Sequence, residues 1–531
     1  MSDTSGRRAS APDEEPDAGR ETLSRRDLQD RAIRGASWTM IHTVTGVPVA
    51  FFVNLLLAHA LGVVHYGRLA FLMTLMDVAT GIVALGVTTG TIQFGAKAHA
   101  AGRRDEVRLL LSKAQGFRLL VAAPLLTVVV VLVAHVSTPM LLLALVFGVW
   151  MPGFLDGATT CLGIENKTAW GAKIGMLVNL IMQAGVAISV LITHQADVVW
   201  VTRLILGAVG VGLALLVIDP GYRSAVLRPS IPKGMPAGFW RFAIPTALAG
   251  VVATLVLSRT EVFFLAWLGD AAAVGYFALA FGLASHIFAP AQALVGPLMP
   301  AISGLREVDV DSVKDAFWRT IRTSSLMVAA LCVVGVPAFA LLIPVLYGDA
   351  FSVSAPMFVA LSISAGLLIA AGPVSAFVMG RLAARAMLMI NLVALAIDAG
   401  LAASLIPVIG AWGAVLANMS GAVTLLTLLV RAELRAMAIS WRDLLGEVRS
   451  LVVALPICVL VWWAAGHLGL PAVVEAVIAG LVGTAAWVIV VRLVHGGVTE
   501  SDARALERVV PPRGRALVAR LLASVVTKRK T

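Results

Sequence analysis

Short polar segments divide the chain into fourteen long apolar stretches, and this alternation restricts the fold more than any other feature. A helix of about 20 apolar residues spans the roughly 30 Å hydrocarbon core of a bilayer. Only 13% of the residues are charged, against about 25% in soluble proteins. The pattern predicts an all-α polytopic membrane protein with about 14 transmembrane helices. The predicted spans are 36–61, 67–93, 114–135, 138–161, 174–193, 197–218, 240–268, 272–299, 321–346, 352–379, 385–408, 411–431, 450–468 and 472–495.

The segments between the spans alternate between two kinds. One kind is short and nearly uncharged, such as LGVVHYG and HLGLP, and the other is longer and basic, such as AKAHAAGRRDEVRLLLSKA. Lys and Arg mark the cytoplasmic side of a membrane protein. Placing the basic segments inside puts both termini in the cytoplasm. Of the 41 Lys and Arg residues, all then lie in cytoplasmic tails, loops or helix ends except Arg68, Arg203 and Arg259.

This bias accounts for the net charge of +11, so a nucleic-acid partner is not expected. The abundance of Ala, Val, Gly and Arg, with few Lys, is typical of a GC-rich bacterial genome. We therefore expect a multi-pass protein of the bacterial plasma (inner) membrane, with membrane lipids as its surroundings.

A weak internal repeat indicates two six-helix halves. LGVVHYGRLAF (61–71) and LGDAAAVGYFALAF (268–281) both place Leu-Gly at the outer end of a long helix and follow it with a Gly/Tyr pair. Such duplication is common in secondary transporters. The predicted regions are a disordered or interfacial cytoplasmic tail 1–34, a six-helix bundle 35–219, a cytoplasmic linker 220–238, a second bundle 239–432, two extra helices 433–495 and a basic tail 496–531.

Enzyme chemistry has no support in the sequence. No loop between spans exceeds about 25 residues, so there is no room for a soluble catalytic domain. Nucleophile-elbow, P-loop and metal-ligand motifs are absent, and Cys161, Cys332 and Cys458 lack CxxC spacing. We predict no catalytic residue, no metal site and no cofactor, and no ATP hydrolysis by the chain itself.

Several motifs resemble one family. They are Gly35-Ala36-x-Trp38, Leu61-Gly62-x-x-x-Tyr66-Gly67, the small-residue run ending at Gly86, FWRFAIPTALAG (239–250), LGDAAAVGYFALAF and VLYGDAFSVSAPMF (345–358). The chain resembles the polysaccharide-type flippases of the multidrug/oligosaccharidyl-lipid/polysaccharide exporter superfamily, which flip O-antigen and exopolysaccharide repeat units. The resemblance covers nearly the whole chain, but its motifs specify helix turns rather than chemistry.

The resemblance implies a function. An undecaprenyl-pyrophosphate-linked oligosaccharide would cross from the inner to the outer leaflet through a central cavity between two six-helix bundles, for surface polysaccharide (lipopolysaccharide or exopolysaccharide) biosynthesis. Polysaccharide polymerases and glycosyltransferases are candidate partners. Three alternatives stay open: a peptidoglycan lipid-precursor flippase or multidrug exporter of the same superfamily, a membrane polymerase or glycosyltransferase, and a scaffold without transport.

Charged residues within spans usually face protein or a water-filled cavity. Arg203 shares a helix face with small residues and is either a contact for the pyrophosphate or an anchor at the outer interface. Glu261 continues a polar stripe and is expected to line the transport path. It corresponds to Asn54 when the Leu-Gly motifs are aligned. Arg259 faces either the cavity or the outer interface. Arg68 is a further candidate for contact with the substrate in the cavity, besides Arg203, Arg259, Glu261 and Asn54.

Two carboxylates lie near the middle of predicted spans, Asp77 and Asp398. Each shares its helix face with small residues, so both are expected to face inward. A carboxylate at this depth can bind a proton or Na⁺ and couple transport to an ion gradient. It can equally be the counter-ion of an arginine such as Arg203, and the sequence leaves both readings open.

Overall fold

The computed structural model describes residues 25–255, 260–292, 310–380 and 384–494 of the 531-residue chain. The regular structure in these ranges is helical throughout, with no strand. The fold class predicted from the apolar segments is therefore confirmed. The predicted tails 1–34 and 496–531 lie largely or wholly outside the described residues, as does Arg259.

Twelve helices precede the second Leu-Gly motif. They are α1 Arg25–Val83, α2 Val87–Ala100, α3 Arg104–Phe117, α4 Ala123–Val133, α5 Thr138–Ala144, α6 Met151–Leu155, α7 Gly157–Ile164, α8 Thr168–Thr193, α9 Ala196–Ala214, α10 Pro220–Leu227, α11 Phe239–Thr254 and α12 Thr260–Leu268. Two π-helical turns, Arg118–Ala122 and Leu145–Trp150, join α3 to α4 and α5 to α6.

Eight helices follow. They are α13 Ala271–Gln292, α14 Val310–Tyr347, α15 Ser354–Gly380, α16 Ala384–Ile409, α17 Ala411–Met437, α18 Trp441–Glu447, α19 Arg449–Ala465 and α20 Ala472–Leu493, with a 3₁₀ turn at Asp349–Phe351. Each of the fourteen predicted spans is mainly helical over its described residues, although several include turn residues, such as 84–86 in the second span and 215–217 in the sixth.

By length and composition, eleven helices of the described residues are able to cross a membrane, or twelve if the bent pair α18–α19 forms one span. The difference from fourteen has two local causes. Thr45–Val83 is 39 residues long and corresponds to two predicted spans. The described residues of the predicted span 240–268 include α11 and α12, on either side of residues 256–259, which lie outside the described ranges, and neither helix is long enough alone.

Helix α1 folds back on itself at Gly62, whose φ of 66° and ψ of 177° are not helical. Glycine tolerates this φ because it has no Cβ. Asn54 Nδ2 donates to the Tyr66 hydroxyl at 2.9 Å, although twelve residues of straight helix would separate them by about 18 Å. The two arms of α1 therefore form a hairpin, as the first Leu-Gly motif predicts.

The helices pack as two groups joined along α1 and α13. In the first group α1 packs on α8 and α9, and in the second α13, α14, α15 and α17 pack together, with α16 against α17. Helices α19 and α20 pack on α14, at the side of the second group. Many exposed side chains on the outer helix faces are large and apolar, as lipid contact requires. The predicted domain boundaries stay a prediction.

Candidate functional site

A cavity of about 620 Å³ lies where the two groups of helices meet. Its walls come from α1, α8 and α9 on one side and from α12, α13 and α15 on the other. A molecule bound there would contact both groups at once. Seven polar or titratable side chains line it: Asn54, Tyr66, Thr74, Gln183, Arg203, Ser285 and His286.

Arg203 gives this cavity a positive character. It is half-buried in α9, and no Asp or Glu belongs to the lining formed by the described residues. A guanidinium offers a planar fork of donors that matches phosphate or carboxylate oxygens. The guanidinium in the wall therefore offers a contact that suits an anionic group.

Asn54 and Tyr66 form a polar pair on the cavity wall contributed by α1. The Tyr66 hydroxyl donates to Asn54 Oδ1 at 3.1 Å, and Asn54 Nδ2 is 2.9 Å from the same hydroxyl. The Tyr66 ring packs edge-on against Phe351, with ring centroids 6.0 Å apart. This packing fixes the ring, so the Asn54–Tyr66 pair presents hydrogen-bonding groups in a defined position.

His286 supplies a titratable group from the opposite wall. Its Nδ1 lies 2.6 Å from the Gly282 carbonyl oxygen one turn earlier in α13. A carbonyl oxygen only accepts hydrogen bonds, so Nδ1 carries the proton in this arrangement. The other ring nitrogen, Nε2, is then the one able to accept a hydrogen bond or a proton.

Two buried carboxyl groups, Glu261 on α12 and Asp398 on α16, form a second site close to the cavity. Both are fully buried and lie within interaction range of each other. Asn418 Nδ2 donates to Glu261 Oε1 at 2.6 Å, and Ser364 Oγ donates to Asn418 Oδ1 at 2.6 Å. The four residues form what is called here the carboxylate cluster.

The carboxylate cluster has more acceptors than donors. Glu261 Oε2 and both Asp398 carboxyl oxygens are buried without a hydrogen bond. Thr260 lies beside Asp398 but donates its hydroxyl to the Leu255 carbonyl oxygen at 3.0 Å. No Lys or Arg among the described residues pairs with either carboxyl group. A proton or a small cation between them would satisfy these oxygens.

Space for Asp398 is provided by a glycine on the neighbouring helix. A Cβ at Gly421 would lie 3.1 Å from Asp398 Cβ, tighter than most contacts of this kind. Val262, the residue after Glu261, lines the central cavity. The carboxylate cluster therefore lies directly behind the cavity wall. A change in its charge would alter the electrostatic potential in the cavity.

The structure distributes the candidate residues from the sequence over several environments. Arg203 and Asn54 line the cavity, whereas Glu261 and Asp398 meet in the carboxylate cluster. Asp77 is exposed on α1, and it is not part of the described cavity lining. The proposed pairing of Asp398 with Arg203 is not formed, since no arginine of the described chain contacts Asp398.

Arg68 lies in an ion pair instead of in the cavity lining. Its Nε and one terminal nitrogen donate to Asp197 Oδ1 at 2.6 Å and Oδ2 at 3.1 Å. The same terminal nitrogen donates to the His135 carbonyl oxygen at 2.9 Å. These contacts join three segments that the sequence places at the outer end of the bundle.

Several site residues were not identified from the sequence, among them Gln183, His286, Ser364 and Asn418. The sequence does carry a signal for two of them. Asn418 is the one amide in its long apolar helix, and Gln183 lies one turn after Asn179 in another, where a polar group needs a partner or water. Their positions in apolar helices mark both amides as candidate site residues, whereas Ser364 has no distinguishing feature.

No protein-family model matches the sequence, and no curated protein matches it. Solved structures do match the fold. One is described as the lipid II flippase MurJ in an inward closed conformation, at a TM-score of 0.63 and 14% identity, covering 85% of this chain and 97% of that one.

Two MATE transporters are also similar. An inward-facing multidrug resistance MATE family transporter of the MOP superfamily has a TM-score of 0.55 at 14% identity, covering 73% of this chain and 94% of its own. The Vibrio cholerae MATE transporter VcmN has a TM-score of 0.53 at 16% identity, and the match covers 77% of this chain and 98% of VcmN. The chain therefore has the polytopic helical fold that the MurJ flippase and the MATE transporters share.

Proposed function

We propose that this protein flips a polyprenyl-pyrophosphate-linked oligosaccharide across the membrane by alternating access. The observation that carries the proposal is the cavity between the two groups of helices, with Arg203 in its wall and no described carboxylate. In alternating access the two groups rock about a site between them, so a site must contact both. The cavity meets this requirement.

The chemistry of the cavity suits each part of such a substrate. Arg203 would hold pyrophosphate oxygens through charge-assisted hydrogen bonds. Gln183, Ser285 and the Asn54–Tyr66 pair offer donors and acceptors for sugar hydroxyls. The polyprenyl tail needs no polar site, because it can remain in the hydrocarbon while the head group moves through the protein.

The oligosaccharide is proposed to be a repeat unit of a surface polysaccharide, on the resemblance of the motifs around Gly62, Gly86 and Gly348. A peptidoglycan lipid precursor is the second candidate, since the structural neighbour with TM-score 0.63 is described as a lipid II flippase. Both substrates share the polyprenyl pyrophosphate that Arg203 would bind. They differ in the sugars, which the remaining cavity residues would contact.

Cationic drugs fit the cavity less well, although one structural neighbour is described as a multidrug resistance transporter. A cationic substrate gains from a carboxylate at its site and is repelled by an arginine. The described lining has the arginine and lacks the carboxylate. An anionic head group is therefore the better substrate for this arrangement.

In this proposal the carboxylate cluster takes up a proton or Na⁺ and couples the transport cycle to an ion gradient. Its unsatisfied oxygens are shared between α12 and α16, so binding of a cation would draw these helices together. Helix α12 also forms part of the cavity wall through Val262. Cation binding would thus favour one arrangement of the wall over the other.

The proposal is tested with the purified full chain in proteoliposomes. A fluorescent polyprenyl-pyrophosphate oligosaccharide is placed in one leaflet, and its appearance in the other is followed with an impermeant quencher. We expect flipping by the native protein and a loss of about tenfold or more in Arg203→Gln, because a charge-assisted phosphate contact is lost. Arg203→Lys keeps the charge without the fork and is expected to retain part of the rate.

Arg435→Gln is the matched control, since Arg435 is an exposed arginine on α17 that does not line the cavity. Its flipping rate should equal that of the native protein. A repeat-unit substrate and lipid II are assayed in parallel to separate the two candidates. Transport of a cationic dye with no flipping of either lipid would contradict the proposal, as would full activity of Arg203→Gln.

A further inference from the structure

A second cavity of about 560 Å³ opens beside the two extra helices. It is called here the arginine groove, and it is formed by α18, the start of α19 and the residue that follows α20. The residues that line it include Arg442, Leu445, Arg449, Val452 and Val494. None of them lines the central cavity, so the arginine groove is a separate site.

The groove owes its shape to a bend between two helices. Ser440 Oγ accepts a hydrogen bond from the Asp443 backbone N–H at 3.2 Å and so caps the start of α18. Helices α18 and α19 then meet at 60°, with Trp441 exposed on α18. A short helix set at a steep angle to a span, with an exposed tryptophan, is typical of a segment at the membrane–water interface.

Two guanidinium groups give the groove its charge. Arg449 is exposed and donates from one terminal nitrogen to the Val494 carbonyl oxygen at 3.1 Å, which leaves its other donors for a ligand. Arg442 is exposed, and no carboxylate of the described residues pairs with it. A ligand with a negative charge would be attracted to both.

The other part of the groove is apolar and continues into the lipid-facing surface. Leu445 and Val452 are 55% and 52% exposed, and further along α19 Leu460 and Trp463 are also exposed. An occupant therefore needs an anionic group at one end and a hydrocarbon chain at the other. A free anion would use only the arginines, and a soluble acidic peptide would have to enter the membrane.

We propose that the arginine groove binds an anionic phospholipid. Its phosphate would contact Arg442 and Arg449, and one acyl chain would lie along Leu445 and Val452 towards the exposed face of α19. Basic pockets between transmembrane helices are suited to anionic lipid head groups. The lipid would hold α18 and α19 at their bend, at the end of the bundle predicted to face the cytoplasm.

The test uses the full-length protein, delipidated in detergent and examined by native mass spectrometry. Phosphatidylglycerol and phosphatidylcholine are added separately at the same ratio. We expect one phosphatidylglycerol to be retained preferentially, with retention about tenfold weaker in the Arg442→Gln/Arg449→Gln variant. A second variant, Leu445→Gln, should also weaken retention because it removes apolar contact without changing the net charge.

The matched control is Arg431→Gln/Arg435→Gln, which removes two exposed arginines from α17 outside the groove. It should retain phosphatidylglycerol as the native protein does, and thermal unfolding checks that every variant is folded. If lipid retention weakens equally in the groove and control variants, the lipid is attracted by the positive charge of the surface in general, and the proposal is overturned. Unchanged retention in both groove variants, or displacement of the lipid by the same concentration of inorganic phosphate, would also overturn it.

Discussion

Gly67 and Gly275 bring the backbones of α1 and α13 into direct contact. A Cβ at Gly67 would lie 2.4 Å from the Ala271 carbonyl oxygen and 2.6 Å from the Gly275 nitrogen. A Cβ at Gly275 would lie 2.2 Å from the Val63 carbonyl oxygen. Both glycines belong to the repeated Leu-Gly motifs, so the motif of each half packs against that of the other at the predicted outer end.

Replacement of either glycine by alanine is expected to separate the two groups of helices at that end. A methyl group in such a contact forces a backbone shift that costs about 1–3 kcal/mol. An engineered cysteine at the cavity position Ala278, in a variant lacking the native cysteines, should then be labelled faster by an impermeant thiol reagent from outside.

The control is Gly207→Ala, because a Cβ at Gly207 in α9 meets nothing within 4 Å. It should leave the labelling rate unchanged. Unaltered labelling in both Gly67→Ala and Gly275→Ala would show that this contact does not close the outer end of the cavity.

Replacement of Asp398 by asparagine is expected to abolish stabilisation by a coupling cation. The native protein should unfold at a higher temperature when the cation is present, since a ligand at 100 times its Kd stabilises the folded state by about 2.7 kcal/mol. Thermal unfolding is measured with and without Na⁺ and over a range of pH. The exposed Asp349→Asn is the control and should respond as the native protein does. If Asp398→Asn keeps the native response, the cation binds elsewhere.

The ion pair between Arg68 and Asp197 is expected to contribute to stability and not to transport. Side-chain exposures of 35% and 26% allow solvent screening, so the pair should be worth about 1 kcal/mol in a double-mutant cycle. Thermal unfolding of Arg68→Gln, Asp197→Asn and the double variant gives the coupling energy. A flipping defect in Arg68→Gln that Asp197→Asn does not share would instead assign Arg68 to the substrate.

Arg118 is expected to be a structural residue of the first group of helices. It is 7% exposed and donates to Thr160 Oγ1 at 2.7 Å and Thr88 Oγ1 at 2.9 Å, and it lies 3.1 Å from Asp156 Oδ2. Arg118→Met should lower the free energy of unfolding by about 3 kcal/mol, because these partners lose their donor.

The free energy of unfolding of Arg118→Lys should lie between those of the native protein and Arg118→Met, since one ammonium cannot reproduce the spread of the guanidinium donors. The exposed Arg104→Gln is the comparison and should stay within about 0.5 kcal/mol of the native protein. A similar loss of stability in Arg104→Gln and Arg118→Met would contradict this role.

The positions of the helices follow from the order of apolar and polar residues along the chain. Spans are set by runs of apolar residues long enough to cross the hydrocarbon, and this requirement acts locally along the chain. The turn at Gly62 was also visible, since a Leu-Gly pair interrupts an apolar run and glycine accepts a positive φ. The close approach of Gly67 and Gly275 was not visible in the sequence, because it depends on how two distant hairpins pack together.

The contacts of each charged residue inside a span depend instead on how the helices pack. Arg68 and Arg203 look alike in the sequence, yet one pairs with Asp197, 129 residues away, and the other lines the cavity. The polar stripe on its helix predicted that Glu261 lines the transport path, whereas in the structure its hydrogen-bond donor is Asn418, 157 residues away and behind the cavity wall. The physical reason is that lipid selects for hydrophobicity residue by residue, while the partner of a buried charge is selected by the packing of helices far apart in sequence.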